Sequence, residues 1–322
     1  MNEQTPTTAF LDYWLETIMR DTLRKTSFAA YRGYIDNHIA PAIGVEPLCS
    51  VTPQIIQTLV RTLSVKKLAN RTIRSIMAMV KTALDYAIEY EFIDKNPCRK
   101  MKLPKPKVAY EIKTFSLEEL MRIEFTALYG YDDRYFGVLV SLYAGLRIGE
   151  ICALKYKDID FETGRLTVSR SLKRVLNHSE GQAKSSVIEE EPKTPHSLRT
   201  IPIPHKLCDM LRARQKTARS DYVICMESGK YCEPRTFQFV YERLLEESDV
   251  EYRNHHCCRH TFVTRCLELG GDIKTISELV GHSGVSVTLS VYAHSQMQTK
   301  ERLMDKLNGQ IFNYNNEDPK KI

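Results

Sequence analysis

No window of the chain approaches the roughly 18 uninterrupted apolar residues that a membrane span requires. The opening MNEQTPTTAF also lacks the basic-then-apolar layout of an export signal. A protein that stays in the cytosol, with no membrane partner, is therefore expected. Its nine cysteines are scattered, and no two form a CxxC pair, which argues against a disulfide framework. Neither GxxxxGKS/T nor GxGxxG occurs, so the loops with which many nucleotide-binding enzymes cradle phosphate are missing, and no cofactor is expected. Internal repeats are absent as well. What remains is ordinary globular composition: 322 residues, 43% apolar and 27% charged, with 14 Gly and 13 Pro, which excludes disordered, collagen-like and mucin-like chains. At roughly 150 residues per domain the length suggests about two domains.

The net charge of +6 is unevenly placed. Residues 1–107 hold 16 Lys and Arg against 10 Asp and Glu, whereas 108–322 hold 30 of each. A basic small domain joined to a neutral larger one suits a polyanionic partner, although many soluble proteins of this charge touch no nucleic acid.

Apolar residues in the first ninety positions recur with helical period, most clearly at Leu68, Ile73, Ile76, Met77, Val80, Leu84, Ala87 and Ile88. Earlier helices fit near 8–19, 27–39 and 53–63, so 1–93 reads as a helical bundle. The stretch DKNPCRKMKLPKPK (94–107) has three Pro and six Lys or Arg. It reads as an exposed, extended basic linker, with 94–112 joining the domains. Lys100, Lys102, Lys105 and Lys107 there, with Arg71 and Arg74 in the bundle, are candidate phosphate contacts.

Beyond the linker, Ser116 and Glu119 make a capping-box signature, and an apolar helix follows from about Tyr135 to Gly145. The period then changes. DIDFETGRLTVSR (158–170) alternates as a β-hairpin and RTIPIP (199–204) adds a third strand, with a polar, mobile hairpin extension expected over 172–192. Helical segments follow at about 205–218, 234–247, 257–269, 273–280, 285–292 and 296–308. The whole is mainly α with a small antiparallel sheet: an N-terminal bundle, a mixed domain over 113–308, and a frayed tail over 309–322.

Three motifs can carry chemistry. HHCCRHTF (255–262) places His256, Arg259 and His260 at i, i+3 and i+4, a face that suits an anion such as phosphate. Zinc is the rival there, but Cys257 and Cys258 point about 100° apart on a helix and no second Cys/His pair stands at finger spacing. AGLRIGEICAL (144–154) sets Arg147 at a helix boundary with Glu150 three residues on, which taken alone reads as a local ion pair. LVGHSGVSVTLSVYAH (279–294) carries His282 and Tyr292, and a lone Tyr is normally a packing residue.

Taken in order, Arg147, Lys193 in PKTPHSLRTIPIP (192–204), His256-x-x-Arg259-His260, Gly281-His282 and Tyr292-Ala-His294 resemble the tyrosine recombinases, the family of phage and conjugative-transposon integrases and Xer-type resolving enzymes. The likeness runs from about residue 8 to 308. It implies a core-binding bundle and a catalytic domain of the DNA breaking-rejoining type, the two clamping duplex DNA. Arg147 and Arg259 then look like phosphate-clamping arginines, Lys193 the hairpin lysine, His256 and His282 the motif histidines and Tyr292 the nucleophile, with Glu150 and His260 in support. Lys184 and Lys173 compete with Lys193. Where many relatives have an acidic residue and Leu inside the HxxRH box, this chain has Cys257 and Cys258. Nothing before residue 8 suggests the extra arm-binding domain that many integrases carry.

The chemistry explains the residue types. A phosphodiester repels nucleophiles, so without metal its charge must be met by fixed cations, and forked guanidiniums suit that geometry. A phenol must lose its proton as it attacks, for which His256 is the candidate acceptor, and the leaving 5′ oxygen needs an acid, for which a lysine serves. The resemblance thus implies a site-specific DNA recombinase that forms a 3′-phosphotyrosyl link without metal, ATP or other cofactor and integrates or excises a mobile element. It implies a homotetramer on DNA that exchanges the 296–308 helix, in which Met297, Met304 and Leu307 share a stripe; packing of that stripe onto its own domain is the alternative. Accessory DNA-bending and directionality proteins are further possible partners. Rival functions are a type IB topoisomerase, a silent DNA-binding regulator on the same scaffold, and a metal-binding helical regulator built around 255–260.

Overall fold

Helical periodicity in the first ninety residues becomes a set of helices around one apolar core. The computed structural model describes residues 1–105, 113–176, 185–190, 198–282 and 304–305. By internal packing the chain divides into two units, Met1–Glu111 with Val175–Ser186, and Ile112–Arg174 with Val187–Ile322.

In the first unit, α1 (Thr7–Tyr13) runs into a π-helical turn at Trp14–Ile18. A second such turn, Ile35–Ile39, joins α2 (Lys25–Tyr34) to α3 (Ala40–Ile43). α4 (Pro53–Val65) starts where the sequence signals it: the Thr52 hydroxyl accepts from the Ile55 N–H at 3.4 Å, and Pro53 fills the first helical position, where no N–H is needed. α5 (Asn70–Glu89) buries Ile73, Ile76, Met77, Val80, Ala83, Leu84 and Ala87 on one face. They meet Phe10, Trp14, Ile35, Ile39 and Ile56 in a single core, and removing one such side chain to Ala costs about 2–5 kcal/mol.

The basic segment after α5 corrects its sequence reading. It does bury part of itself: Pro97–Lys100 forms a 3₁₀ turn with Asn96, Pro97 and Cys98 inside, and Met101 and Leu103 pack on the core. Its extended continuation is held by backbone bonds, because Gln57 both donates to Lys102 O (3.2 Å) and accepts from Lys102 N (2.9 Å), while Asn70 donates to Lys105 O (2.7 Å). Side-chain amides thus satisfy a backbone that no strand partner covers. Among the described residues, Lys95, Lys100, Lys102 and Lys105 remain exposed.

In the second unit α6 (Leu117–Tyr129) opens with the expected capping box, Ser116 Oγ accepting from Glu119 N and Glu119 Oε2 from Ser116 N. α7 (Phe136–Ala144) is buried nearly all round, as an apolar helix without a polar face must be, and α8 (Ile148–Ala153) follows one short turn later. β1 (Ile159–Asp160) and β2 (Arg165–Val168) form the expected hairpin with Ile159 opposite Leu166. β3 (Ser171–Leu176) and β4 (Ser185–Glu190) form a separate two-stranded sheet, closed by the Lys173–Glu190 ion pair at 2.6 Å. β5 (Arg199–Pro202) joins the free edge of β2, Ile201 opposite Leu166.

Four helices complete the described part: α9 (His205–Thr217), α10 (Pro234–Glu247), α11 (His256–Glu268) and α12 (Ile273–Val280). α7 packs on α11, and its residues share a core with Ile151, Cys152, Leu166, Ile201, Phe237 and Tyr241. Among the described residues no helix is long and apolar enough to cross a membrane. The expected segments at 285–292 and 296–308 lie outside the described residues apart from 304–305, as does the tail over 309–322.

Candidate active site

α7 stops because Gly145 adopts the left-handed conformation, φ +63°, and a Cβ there would meet Phe262 Cδ1 at 2.7 Å. Two residues later Arg147 caps α8. Its backbone N–H donates to Glu150 Oε2 (2.9 Å), and its guanidinium donates from Nη1 to Glu150 Oε1 (2.8 Å) and from Nη2 to Gly281 O (3.2 Å). The local ion pair read from the sequence is present, but Glu150 has a second partner. Arg199 donates to Glu150 from Nη2 (Oε2, 2.9 Å) and Nη1 (Oε1, 3.2 Å), and from Nε to Leu279 O (2.8 Å). Burial alone would raise the Glu150 carboxyl. The bonds and charge of Arg199, then the charge of Arg147, outweigh it and hold the group down at about 2.

α11 brings the second set. Arg259 is buried, with Nη1 donating to Gly145 O at 3.0 Å, so the carbonyl that ends α7 fixes the guanidinium. His256 and His260 stand one turn apart with ring centroids 4.5 Å apart and planes at 88°. The third piece is the end of α12. Gly281, at φ +64°, turns the chain left-handed, and His282 follows it.

These groups share one electrostatic neighbourhood. His282 is pushed down to about 4 by desolvation and then by the charges of Arg259, Arg147, His256 and His260. His256 is likewise lowered to about 4, by desolvation and then by His260, Arg259 and Arg147. Five sequence-selected residues from three segments therefore converge: Arg147, His256, Arg259, His260 and His282. Two guanidiniums and three imidazoles gathered beside the single carboxylate of Glu150 make a receptor for an anion. His256 and His282, lowered to about 4, are neutral at pH 7, and burial and then Arg259 lower His260 as well.

The phage integrase family matches residues 112–299, and the N-terminal SAM-like domain of phage integrases matches 8–64. A tyrosine recombinase XerC-like protein of Caldanaerobacter subterraneus subsp. tengcongensis is 32% identical over 317 residues, covering 92% of this chain and 81% of that protein. The chain belongs to the phage integrase family. The recombinase is also similar to the ICEBs1 integrase of Bacillus subtilis, 27% identical with 85% of this chain and 75% of that protein covered. Its fold matches the Tn1549 transposon integrase solved in complex with a circular intermediate DNA, with a TM-score of 0.78 at 21% identity, covering 94% of this chain and 99% of that one. The integrase is thus a site-specific recombinase of the tyrosine class.

Within the recombinase the two cysteines of the HHCCRHTF box face protein. The Cys257 thiol donates to Lys113 O (3.0 Å), and Cys258 is fully buried, its thiol pushed up by desolvation. His255 lies between Phe237 and Tyr241, at 5.6 and 5.2 Å, and desolvation drives it down to about 3. Among the described residues no three His, Cys, Asp or Glu side chains converge as a metal would require.

Sequence reasoning missed Arg199. The signal was available: in RTIPIP strand alternation puts Arg199 on the face of Ile201 and Ile203, both buried, so a charge stands at a core position and demands a partner. Of the other candidates, Arg71, Lys100, Lys102 and Lys105 are exposed, while Arg74 donates to Pro104 O at 3.0 Å and so helps hold the basic segment. Lys173, a competitor for the general acid, is paired with Glu190. Lys193, Lys184, Lys107 and Tyr292 lie outside the described residues.

Proposed function

We propose that this recombinase cleaves and rejoins duplex DNA through a 3′-phosphotyrosyl intermediate on Tyr292, and so integrates or excises a mobile element. Arg147 and Arg259 hold the scissile phosphate and the charge that builds on its oxygens in the five-coordinate transition state. Tyr292 Oη attacks phosphorus, the bond to the 5′ oxygen breaks, and Lys193 supplies that oxygen with a proton. His256, neutral at pH 7, takes the phenolic proton. His282 and His260 line the phosphate, and Glu150 fixes Arg147. The phosphotyrosyl bond keeps the energy of the phosphodiester it replaced, so a second DNA 5′ hydroxyl reverses the step on a new partner without ATP. The observation that supports this reading most is the convergence of Arg147, His256, Arg259, His260 and His282 from three separate segments into one cationic neighbourhood.

The same reading assigns 1–93 to core-site binding, 94–112 to a linker whose lysines face phosphate, and 113–308 to catalysis. It includes a homotetramer assembled on DNA by exchange of the 296–308 helix, and accessory bending and directionality proteins, in the cytoplasm. The test is incubation with a suicide duplex carrying candidate element ends. Tyr292→Phe removes one oxygen and no charge, so it is expected to bind the duplex as the native chain does and to form no covalent adduct; an adduct that persists in this variant overturns the assignment.

A further inference from the structure

We infer that Arg199 is a positioning residue of the recombination reaction, a buried guanidinium that sets both Arg147 and His282 in register with the phosphate. The inference rests on the proposed role of Arg147 as a phosphate clamp. Three contacts carry it. Arg199 grips both carboxylate oxygens of Glu150, at 2.9 and 3.2 Å, and the same carboxylate accepts from the backbone and guanidinium of Arg147 at 2.9 and 2.8 Å. From its third nitrogen Arg199 donates to Leu279 O, two residues before Gly281, whose own carbonyl accepts from Arg147 at 3.2 Å. Two guanidiniums joined by one carboxylate thus hold the last turn of α12 and the start of α8 together.

The arrangement needs an arginine. Lysine offers a single ammonium and cannot bridge two carboxylate oxygens and a carbonyl on different sides of one plane. The side chains of Arg199 and Glu150 are both 6% exposed, so solvent does not substitute for either partner. Arg147 is 37% exposed and opens towards the site. Glu150 is therefore the hinge between a buried anchor and an exposed clamp: the anchor fixes the carboxylate, and the carboxylate leaves Arg147 with few orientations. The free N–H groups of Arg147 then face one direction before substrate arrives, which lowers the reorganisation that phosphate binding demands.

The experiment uses the full chain and a suicide half-site duplex, comparing Arg199→Gln, Arg199→Lys, Glu150→Gln and the double variant Arg199→Gln/Glu150→Gln. Single-turnover covalent adduct formation, half-site affinity and the unfolding midpoint are measured for each. Arg199→Gln is expected to slow adduct formation on the order of 10- to 100-fold with half-site affinity changed less than about threefold. Arg199→Lys is expected to recover part of the rate. The double variant is expected to be no slower than Glu150→Gln, because both act through one carboxylate.

A pH profile separates positioning from bulk stability. Glu150 faces Arg199, Arg147 and, at longer range, His256. Without Arg199 its carboxyl rises, so the acid limb of the rate is expected to move towards neutral pH in Arg199→Gln but not in Arg199→Lys. Native rates and an unmoved acid limb in folded Arg199→Gln overturn the inference. Should that variant unfold, Arg199→Lys decides: a native rate and an unmoved half-site affinity in folded Arg199→Lys, where the fork to Glu150 and Leu279 O is gone, contradict positioning. Arg147→Lys serves as control, since native cleavage by that variant removes the phosphate-clamp reading itself, whereas its loss beside a native Arg199→Gln removes only the inference.

Discussion

Glu150→Gln removes one charge from a buried site and keeps its shape, so it isolates the electrostatic term that holds α8 against β5 and α12. The Glu150 carboxyl sits at about 2 in the fold against an ordinary 4.5. That gap corresponds to about 3 kcal/mol of folding free energy, in the range of about 3–5 kcal/mol for breaking one side of a buried pair. Because the folded value is the lower one, the stabilisation is fully present above about 4.5 and is lost as pH falls towards 2. Native protein is therefore expected to exceed the variant by about 3 kcal/mol at pH 7, and the difference to shrink to near zero at pH 2. Urea unfolding followed by circular dichroism reads it. Trp14, the single tryptophan, is buried in the N-terminal core, so its fluorescence follows that unit and serves as internal reference. An equal gap at pH 7 and pH 2.5, or none at pH 7, refutes the reasoning.

Gly145→Ala forces a left-handed φ on a residue with a Cβ and drives that atom to 2.7 Å from Phe262 Cδ1 and 3.1 Å from Val280 Cγ1. A loss of about 1–3 kcal/mol in unfolding free energy is expected, with slower cleavage because Gly145 O anchors Arg259. Duplex affinity is expected to fall steeply with salt, and neutralising Lys100, Lys102, Lys105 and Lys107 to flatten the slope of log affinity against log salt, read by titration at four salt concentrations; an unchanged slope shows that these lysines do not meet phosphate. Truncation after Ser295 is expected to leave half-site binding intact and to impair the assembled complex, measured by gel shift and cleavage; normal assembly and recombination would make that segment ordinary core or tail.

Strong periodicity made most elements legible. α5 shows its buried face in the sequence because each apolar position repeats at helical spacing, and α10 and α12 are bounded by Pro234, Asp272 and Gly281, whose backbone demands are local. The basic segment was misread because charge and proline describe side chains and φ, whereas burial of Pro97 and Cys98 depends on packing against other elements, and the bonds from Gln57 and Asn70 join residues 45 and 35 apart in sequence. β3 and β4 fall almost wholly within the hairpin extension expected over 172–192, but their individual bounds were hard to see since their polar residues do not alternate. At the site, Arg147, His256, Arg259 and His282 were selected through the resemblance of their ordered motifs to the tyrosine recombinases, and a helix turn and a left-handed glycine bring those motifs together. Glu150 looked like the partner of one arginine; its role between two appears only when β5 is folded against α8. Arg199 was passed over because it belongs to no motif, although strand alternation with Ile201 and Ile203 already placed it on the core face.

The central claim is that Tyr292 makes the covalent bond to DNA. The direct measurement is digestion of the adduct trapped on a suicide duplex, followed by mass spectrometry of the peptide that carries the nucleotide. The account predicts a single modified site at Tyr292, attached through a 3′ phosphate, with a free 5′ hydroxyl on the released strand. Attachment at another residue such as Tyr314, or through a 5′ phosphate, would contradict it.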